Sequence, residues 1–201
     1  MSPRAAALLG PVHIGGGLPV VVMGALNVSP ESFYGGSVHR DRDALVKAGT
    51  AMVRAGAAIL DVGARSTAPY LDTAVDDAEE VDRLGAAVEC LVTKVGAPVS
   101  ADTARPKAAR AALDAGACVI NDLTAFADPA LAALVAERRA SAILMASPTS
   151  WEDPVRRPPK PSPSCSPIAA IHSVLTAALA RADGRHRRRA RAPRSRHRVL
   201  P

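Results

Sequence analysis

The sequence predicts an α/β fold: about five parallel strand–helix units forming part of a (β/α)8 TIM barrel, followed by a basic tail expected to be disordered. Three observations carry this. Short apolar runs, too β-branched to be good helices, alternate with amphipathic stretches at helical spacing. Each apolar run ends in a polar tip of amide, hydroxyl or carboxylate side chains, beginning with VVVMGALNVSPESFYGGS from Val20 to Ser37. After Met145 the pattern stops, and proline, serine and then arginine take over.

In chain order, Val12-His13-Ile14, the glycines at 15–17 and Leu18 onward read as a small hairpin with a glycine loop. It leads into a first principal strand over 19–26. Arg42 to Arg54 carries Leu45, Ala48, Met52 and Val53 near helical spacing, with Gly56 as its stop. The second strand, 58–62, ends in the tip GARSTAP at 63–69. Thr73 and Asp76 resemble a capping box for a helix whose stripe is Val81, Leu84, Val88, Leu91 and Val92, ending near Gly96. The third strand, 98–101, ends in Asp102 and Thr103. Pro106 suits the first turn of the next helix and Gly116 its end. The fourth strand, 118–120, ends in Asn121 and Asp122. Asp128-Pro129 caps a helix to about Arg139, and the fifth strand runs over 142–145.

Right-handed crossovers place all five polar tips at one end of a parallel sheet. A closed barrel and an open doubly wound sheet both bind ligands at that end. No G-x-G-x-x-G follows any strand, which favours the barrel, although five strands are visible where eight are needed. Residues 1–154 are expected to form the folded domain. Residues 155–201 read as a Pro/Arg-rich tail with one helix at 167–180, on which Ile168, Ile171, Leu175 and Leu179 share a face.

Charge divides at the same place. Residues 1–154 hold 13 basic and 18 acidic side chains, whereas 155–201 hold 12 basic and one acidic, Asp183. The high pI therefore belongs to the tail and does not make the domain a nucleic-acid binder. Proline-broken basic runs are usually solvated, so neither the tail nor Trp151 implies a specific nucleic-acid partner. Cys90, Cys118 and Cys165 form no CxxC and no even framework, which points to a reducing, cytoplasmic setting. The apolar runs near the start are far shorter than the roughly 20 residues of a membrane span, and Ala5–Leu9 lacks the cleavage pattern of a signal peptide.

No HExxH, P-loop or nucleophile elbow occurs. Asp61, Asp102 and Asp122 end three successive strands. Carboxylates so placed can bind a guanidine-like donor edge, hold a metal or stabilise a cation; equally, they can cap the helices that follow. Asn27 and Asn121 carry donor–acceptor pairs able to read a heterocycle's edge, or make ordinary turn bonds. Ser66 and Thr67 offer a hydroxyl pair suited to an oxyanion or phosphate, or to a helix start. Their convergence at four strand tips favours a site.

The segments MGALNVSPESFYGGS, DVGARSTAPY and SADTARPKAARAALDAGACVIND, with the spacing between them, resemble the dihydropteroate synthase family, most of all an archaeal-style branch whose first motif reads SPESFY. The likeness covers about residues 12–154, with four motifs in order. It implies a (β/α)8 barrel that joins a dihydropterin methyl pyrophosphate to p-aminobenzoate on the route to folate, releasing pyrophosphate with the help of Mg2+. Motif by motif, it implies that Asn27 contacts metal and pyrophosphate, and that Ser66 and Thr67 approach pyrophosphate and p-aminobenzoate. Asp102 and Asn121 match pterin-binding positions and are the catalytic candidates. Asp61 and Asp122 join them as substrate-binding candidates. Ala68 stands where the common form of the second motif has an arginine. The family's later pieces, a DPG-like strand, a lysine and a final arginine–histidine pair, have no counterpart. The expectation is an amino-terminal piece, cut or frame-shifted after about residue 150, with impaired synthase activity and a homodimer only if the barrel were complete. Two other readings stay open: a pterin-binding module that transfers methyl groups to a corrinoid protein, and a non-enzymatic binding protein whose basic tail contacts nucleic acid.

Overall fold

The computed structural model describes residues 6–28, 42–65, 76–145 and 166–190. Strands β3 (Val22–Asn27), β4 (Ala57–Gly63), β5 (Val99–Asp102), β6 (Val119–Asp122) and β7 (Ser141–Leu144) form one parallel sheet in sequence order. Between them run α1 (Arg42–Arg54), α2 (Asp77–Cys90), α3 (Pro106–Asp114) and α4 (Pro129–Arg138). A doubly wound sheet reverses its strand order at a switch point, and this one does not. Five β/α units winding in one direction are an arc of a (β/α)8 barrel.

The two faces of the sheet differ because successive strand residues point to opposite sides. Leu60, Val62, Val99, Ala101 and Ile120 pack with Leu45, Leu84, Val88, Leu91, Ala108, Ala112 and Leu131 from the helices, and this is the main core. Along the strands, Ala25 pairs with Asp61, Asp61 with Ser100, Gly63 with Asp102, and Asp102 with Asn121. Alternation therefore puts Asp61, Ser100, Asp102 and Asn121 together on the face away from that core.

A two-stranded hairpin, β1 (Ala6–Leu9) and β2 (Val12–Gly15), docks at the amino-terminal end of the strands. The Gly10 amide donates to Ser141 Oγ at 2.9 Å, and Ser141 Oγ donates to the Leu8 carbonyl at 3.0 Å. The hairpin turn is thus at Gly10-Pro11, not at the glycines 15–17. Gly10 sits at φ +56°, and a Cβ there would lie 2.4 Å from Cys118 Sγ, so only glycine permits this turn to dock. The first principal strand begins at Val22 rather than residue 19, and Val20 is left exposed.

The helices follow the sequence closely, with three differences. α2 starts at Asp77 with Asp76 at its N-cap position, and Thr73 lies outside the described residues. Its last turn, Leu91–Val95, widens to π-helical before Gly96 stops it. The third concerns the tail: α5 runs Pro167–Ala190, ten residues beyond the expected end and into the first part of the basic run. Alanine and arginine are good helix formers, and a run continues easily from a helix already nucleated. The apolar face read from the spacing is largely exposed. Ala178 is buried and Arg181 donates to the Ala125 carbonyl at 2.6 Å, while Ile168, Ile171 and Leu179 stay exposed. No helix among the described residues is long and apolar enough to cross a membrane.

Candidate functional site

The sheet's polar face is built from short strands whose side chains must share a small area. Asp61 projects from the middle of β4 and is 7% exposed. Its Oδ2 accepts a hydrogen bond from Nδ2 of Asn121 on β6 at 3.0 Å. That bond passes over β5, where the intervening residue is Ser100, small and fully buried. Ser100 lies close enough to favour the charged form of Asp61, yet its hydroxyl and Asp61 Oδ1 each lack a well-formed hydrogen bond.

Asp102 stands one step further along β5, in register with Asn121 on one side and Gly63 on the other. A Cβ on Gly63 would lie 3.5 Å from Asp102 Cβ and Oδ2, so the glycine leaves the flank of the carboxylate open. Burial, reinforced by the negative charges of Asp61, Glu80 and Asp122, pushes the Asp102 carboxyl up to about 7. Burial likewise raises Asp61, with the Ser100 and Asn121 side chains opposing it. The result is an acid poised to change charge near neutrality, beside a fixed amide.

The other candidate residues fall differently. Asn27 is half-buried at the end of β3, in register with Gly63. Ser66 and Thr67 lie outside the described residues, as does the SPESFY segment. Asp122 is fully buried with its carboxylate turned to the following loop. Its Oδ1 accepts from the Thr124 amide at 2.8 Å and the Thr124 hydroxyl at 2.7 Å, and its Oδ2 accepts from the Phe126 amide at 2.6 Å. These bonds hold Ala125 and Phe126 at positive φ.

A second polar cluster was not visible among the strand tips. Glu80, 2% exposed in the first turn of α2, accepts from Thr103 Oγ1 at 2.6 Å. Its Oε2 lies 3.4 Å from Arg105 and 3.6 Å from Arg65, and Arg105 also pairs with Asp77. The cluster ties the loop after β4 to the loop after β5, and with them the positions around Asp102. The sequence signal was a carboxylate on an apolar stripe, since Glu80 precedes Leu84, Val88 and Leu91 at helical spacing. Ser100 had a fainter signal, two residues before Asp102 and so on the same face. No group of three His, Cys, Asp or Glu side chains able to hold a metal occurs among the described residues.

Comparison with known proteins gives this site a context. The family model described as pterin binding enzyme matches residues 23–182, which takes in the first part of α5 as well as the strand–helix units. The dihydropteroate synthase of Mycobacterium leprae is 45% identical over 128 residues, covering 63% of this chain and 44% of that protein. A probable bifunctional folylpolyglutamate synthase/dihydropteroate synthase of Haloferax volcanii is 43% identical over 135 residues, 67% of this chain and 16% of that one. Among solved structures, the Yersinia pestis dihydropteroate synthase in a sulfonamide drug complex superposes with TM-score 0.75 at 26% identity, over 90% of this chain and 63% of that chain. The Xanthomonas albilineans enzyme with 4-aminobenzoic acid gives TM-score 0.70 at 31% identity, over 92% of this chain and 63% of that one. The chain thus spans less than half the length of these sequence relatives and just under two thirds of these structures. With the family model matched across most of its length and the arc of a barrel shared with solved members, the chain belongs to the pterin binding enzyme family.

Proposed function

We propose that this chain carries the pterin-binding part of a dihydropteroate synthase, acting in the cytoplasm to join a dihydropterin methyl pyrophosphate to p-aminobenzoate. The single observation that carries the reading is Asp102 beside Asn121 in register at the carboxyl end of the sheet, its carboxyl raised to about 7 and its flank left open by Gly63. A carboxylate and an amide so placed fit the alternating N–H and lone-pair edge of a pterin. When ionised, Asp102 also favours the positive charge that develops on the ring system as pyrophosphate departs. Once the C–O bond to pyrophosphate has broken, the arylamine nitrogen forms the new C–N bond at the methylene carbon and releases a proton.

In this reading Asn27 touches the pyrophosphate end, Ser66 and Thr67 approach pyrophosphate and p-aminobenzoate, and Asp61 supports the pterin side, while Asp122, its carboxylate committed to the Thr124 and Phe126 amides, acts only by shaping the loop after β6. A magnesium ion bound mostly through substrate phosphate oxygens and water needs few protein donors, so a single Asn27 amide oxygen beside the bare flank of Gly63 fits it. When bound, Mg2+ supplies charge neutralisation for the departing pyrophosphate. Calorimetric titration of 6-hydroxymethyl-7,8-dihydropterin pyrophosphate in the presence of Mg2+ tests this. Saturable 1:1 binding is expected, weakened on the order of tenfold or more by Asp102→Ala. Absence of binding, or an Asp102→Ala variant that binds like the parent, contradicts it.

A further inference from the structure

Asp61 is costly to bury. It is 7% exposed, and neither its Oδ1 nor the adjacent, fully buried Ser100 hydroxyl makes a well-formed hydrogen bond, although Ser100 lies close enough to favour the charged carboxylate. A buried carboxylate with half its acceptor capacity unmet destabilises a fold, and an apolar side chain of similar size is often better tolerated. Stability therefore does not account for an aspartate here; its effect on a neighbour does.

That neighbour is Asn121, held at 3.0 Å from across β5. A carboxylate only accepts hydrogen bonds, whereas the two ends of an asparagine amide are a donor and an acceptor. With Nδ2 committed to Asp61 the amide cannot turn over, and Oδ1 occupies its opposite edge. Asp102, in register with Asn121, contributes two more acceptor oxygens. We propose that Asp61 is a positioning residue that locks the Asn121 amide in one orientation, so that Asn121 Oδ1 and Asp102 face the ligand as paired acceptors and select a heterocycle edge with adjacent N–H donors, such as the 2-amino edge of a pterin, over analogues bearing a carbonyl there. The selection rests on the pterin reading above; the locked amide does not.

The two parts separate experimentally. In the unliganded, 15N-labelled chain, the Asn121 side-chain amide, assigned by its loss in Asn121→Ala, is expected to exchange with solvent at least about tenfold more slowly than a free asparagine amide. Asp61→Leu is expected to return it to ordinary exchange without lowering the thermal midpoint. An Asn121 amide that already exchanges freely in the parent chain overturns the proposal. For selection, the parent is expected to prefer 6-hydroxymethylpterin over 6-hydroxymethyllumazine, in which a carbonyl replaces the 2-amino group, by on the order of 100-fold. Because an asparagine at 61 can donate or accept, Asp61→Asn is expected to shrink that ratio to within about threefold. A ratio unchanged in folded Asp61→Asn overturns the proposal while leaving the pterin reading intact. A parent chain that binds neither heterocycle overturns the selection and the pterin reading together.

Discussion

Asp61 on β4 and Asn121 on β6 are joined by a 3.0 Å hydrogen bond that crosses the strand between them. The crossing is possible because β5 places Ser100, rather than a large side chain, beneath it. Strands β4 and β6 are thereby linked through side chains across β5, on the face away from the helix-packed core. Asp102 stands in register with Asn121, and after burial itself the charge of Asp61 is the largest influence that pushes its carboxyl up.

One consequence is a pH dependence with a definite sign. The Asp102 carboxyl titrates near 7 in the folded chain, against about 3.9 in an unfolded one. Between these values the folded state holds a proton that the unfolded state has released. Asp102 therefore contributes stability below about pH 4 that is lost as pH rises toward 7. Thermal melts at intervals from pH 4 to 8 should show the parent losing midpoint temperature relative to Asp102→Asn across that window. Parallel curves would show that Asp102 titrates at its ordinary value.

Asp122 makes a different prediction, because its carboxylate faces the loop and not the open face. Removing it strands the Thr124 and Phe126 amides, one of them buried. Asp122→Ala should cost about 2–4 kcal/mol in urea unfolding, since these are bonds to a charged acceptor in a buried setting. A cost under about 0.5 kcal/mol, the size of an ordinary surface change, would mean the loop holds itself.

How much of this was legible in the sequence depends on the range of the interactions involved. α1, α3 and α4 match their expected spans closely because apolar spacing, Pro106, Asp128 and the stopping glycines are local signals. The strand tips were legible for the same reason: apolar runs end in Asp102 or Asn121 within the run itself. The hairpin was misplaced because its turn is selected by a distant contact, Gly10 against Cys118. On α5 the apolar spacing shows which residues share a face, but spacing alone cannot say which side meets the rest of the chain; Ile168, Ile171 and Leu179 are exposed and Ala178 is buried. Asp122 and Asp61 look alike in sequence, each near the end of an apolar run. Only the pleat separates them, turning Asp61 to the open face and Asp122 to the loop.

A pterin site at the strand tips is tested by an amide chemical-shift map of the chain titrated with 6-hydroxymethyl-7,8-dihydropterin. The largest shifts are expected on Gly63, Asp102 and Asn121, with the hairpin at 6–15 and helix α5 little changed. Shifts concentrated on α5 or the hairpin, or a spectrum unmoved at saturating ligand, would contradict a pterin site at the strand tips.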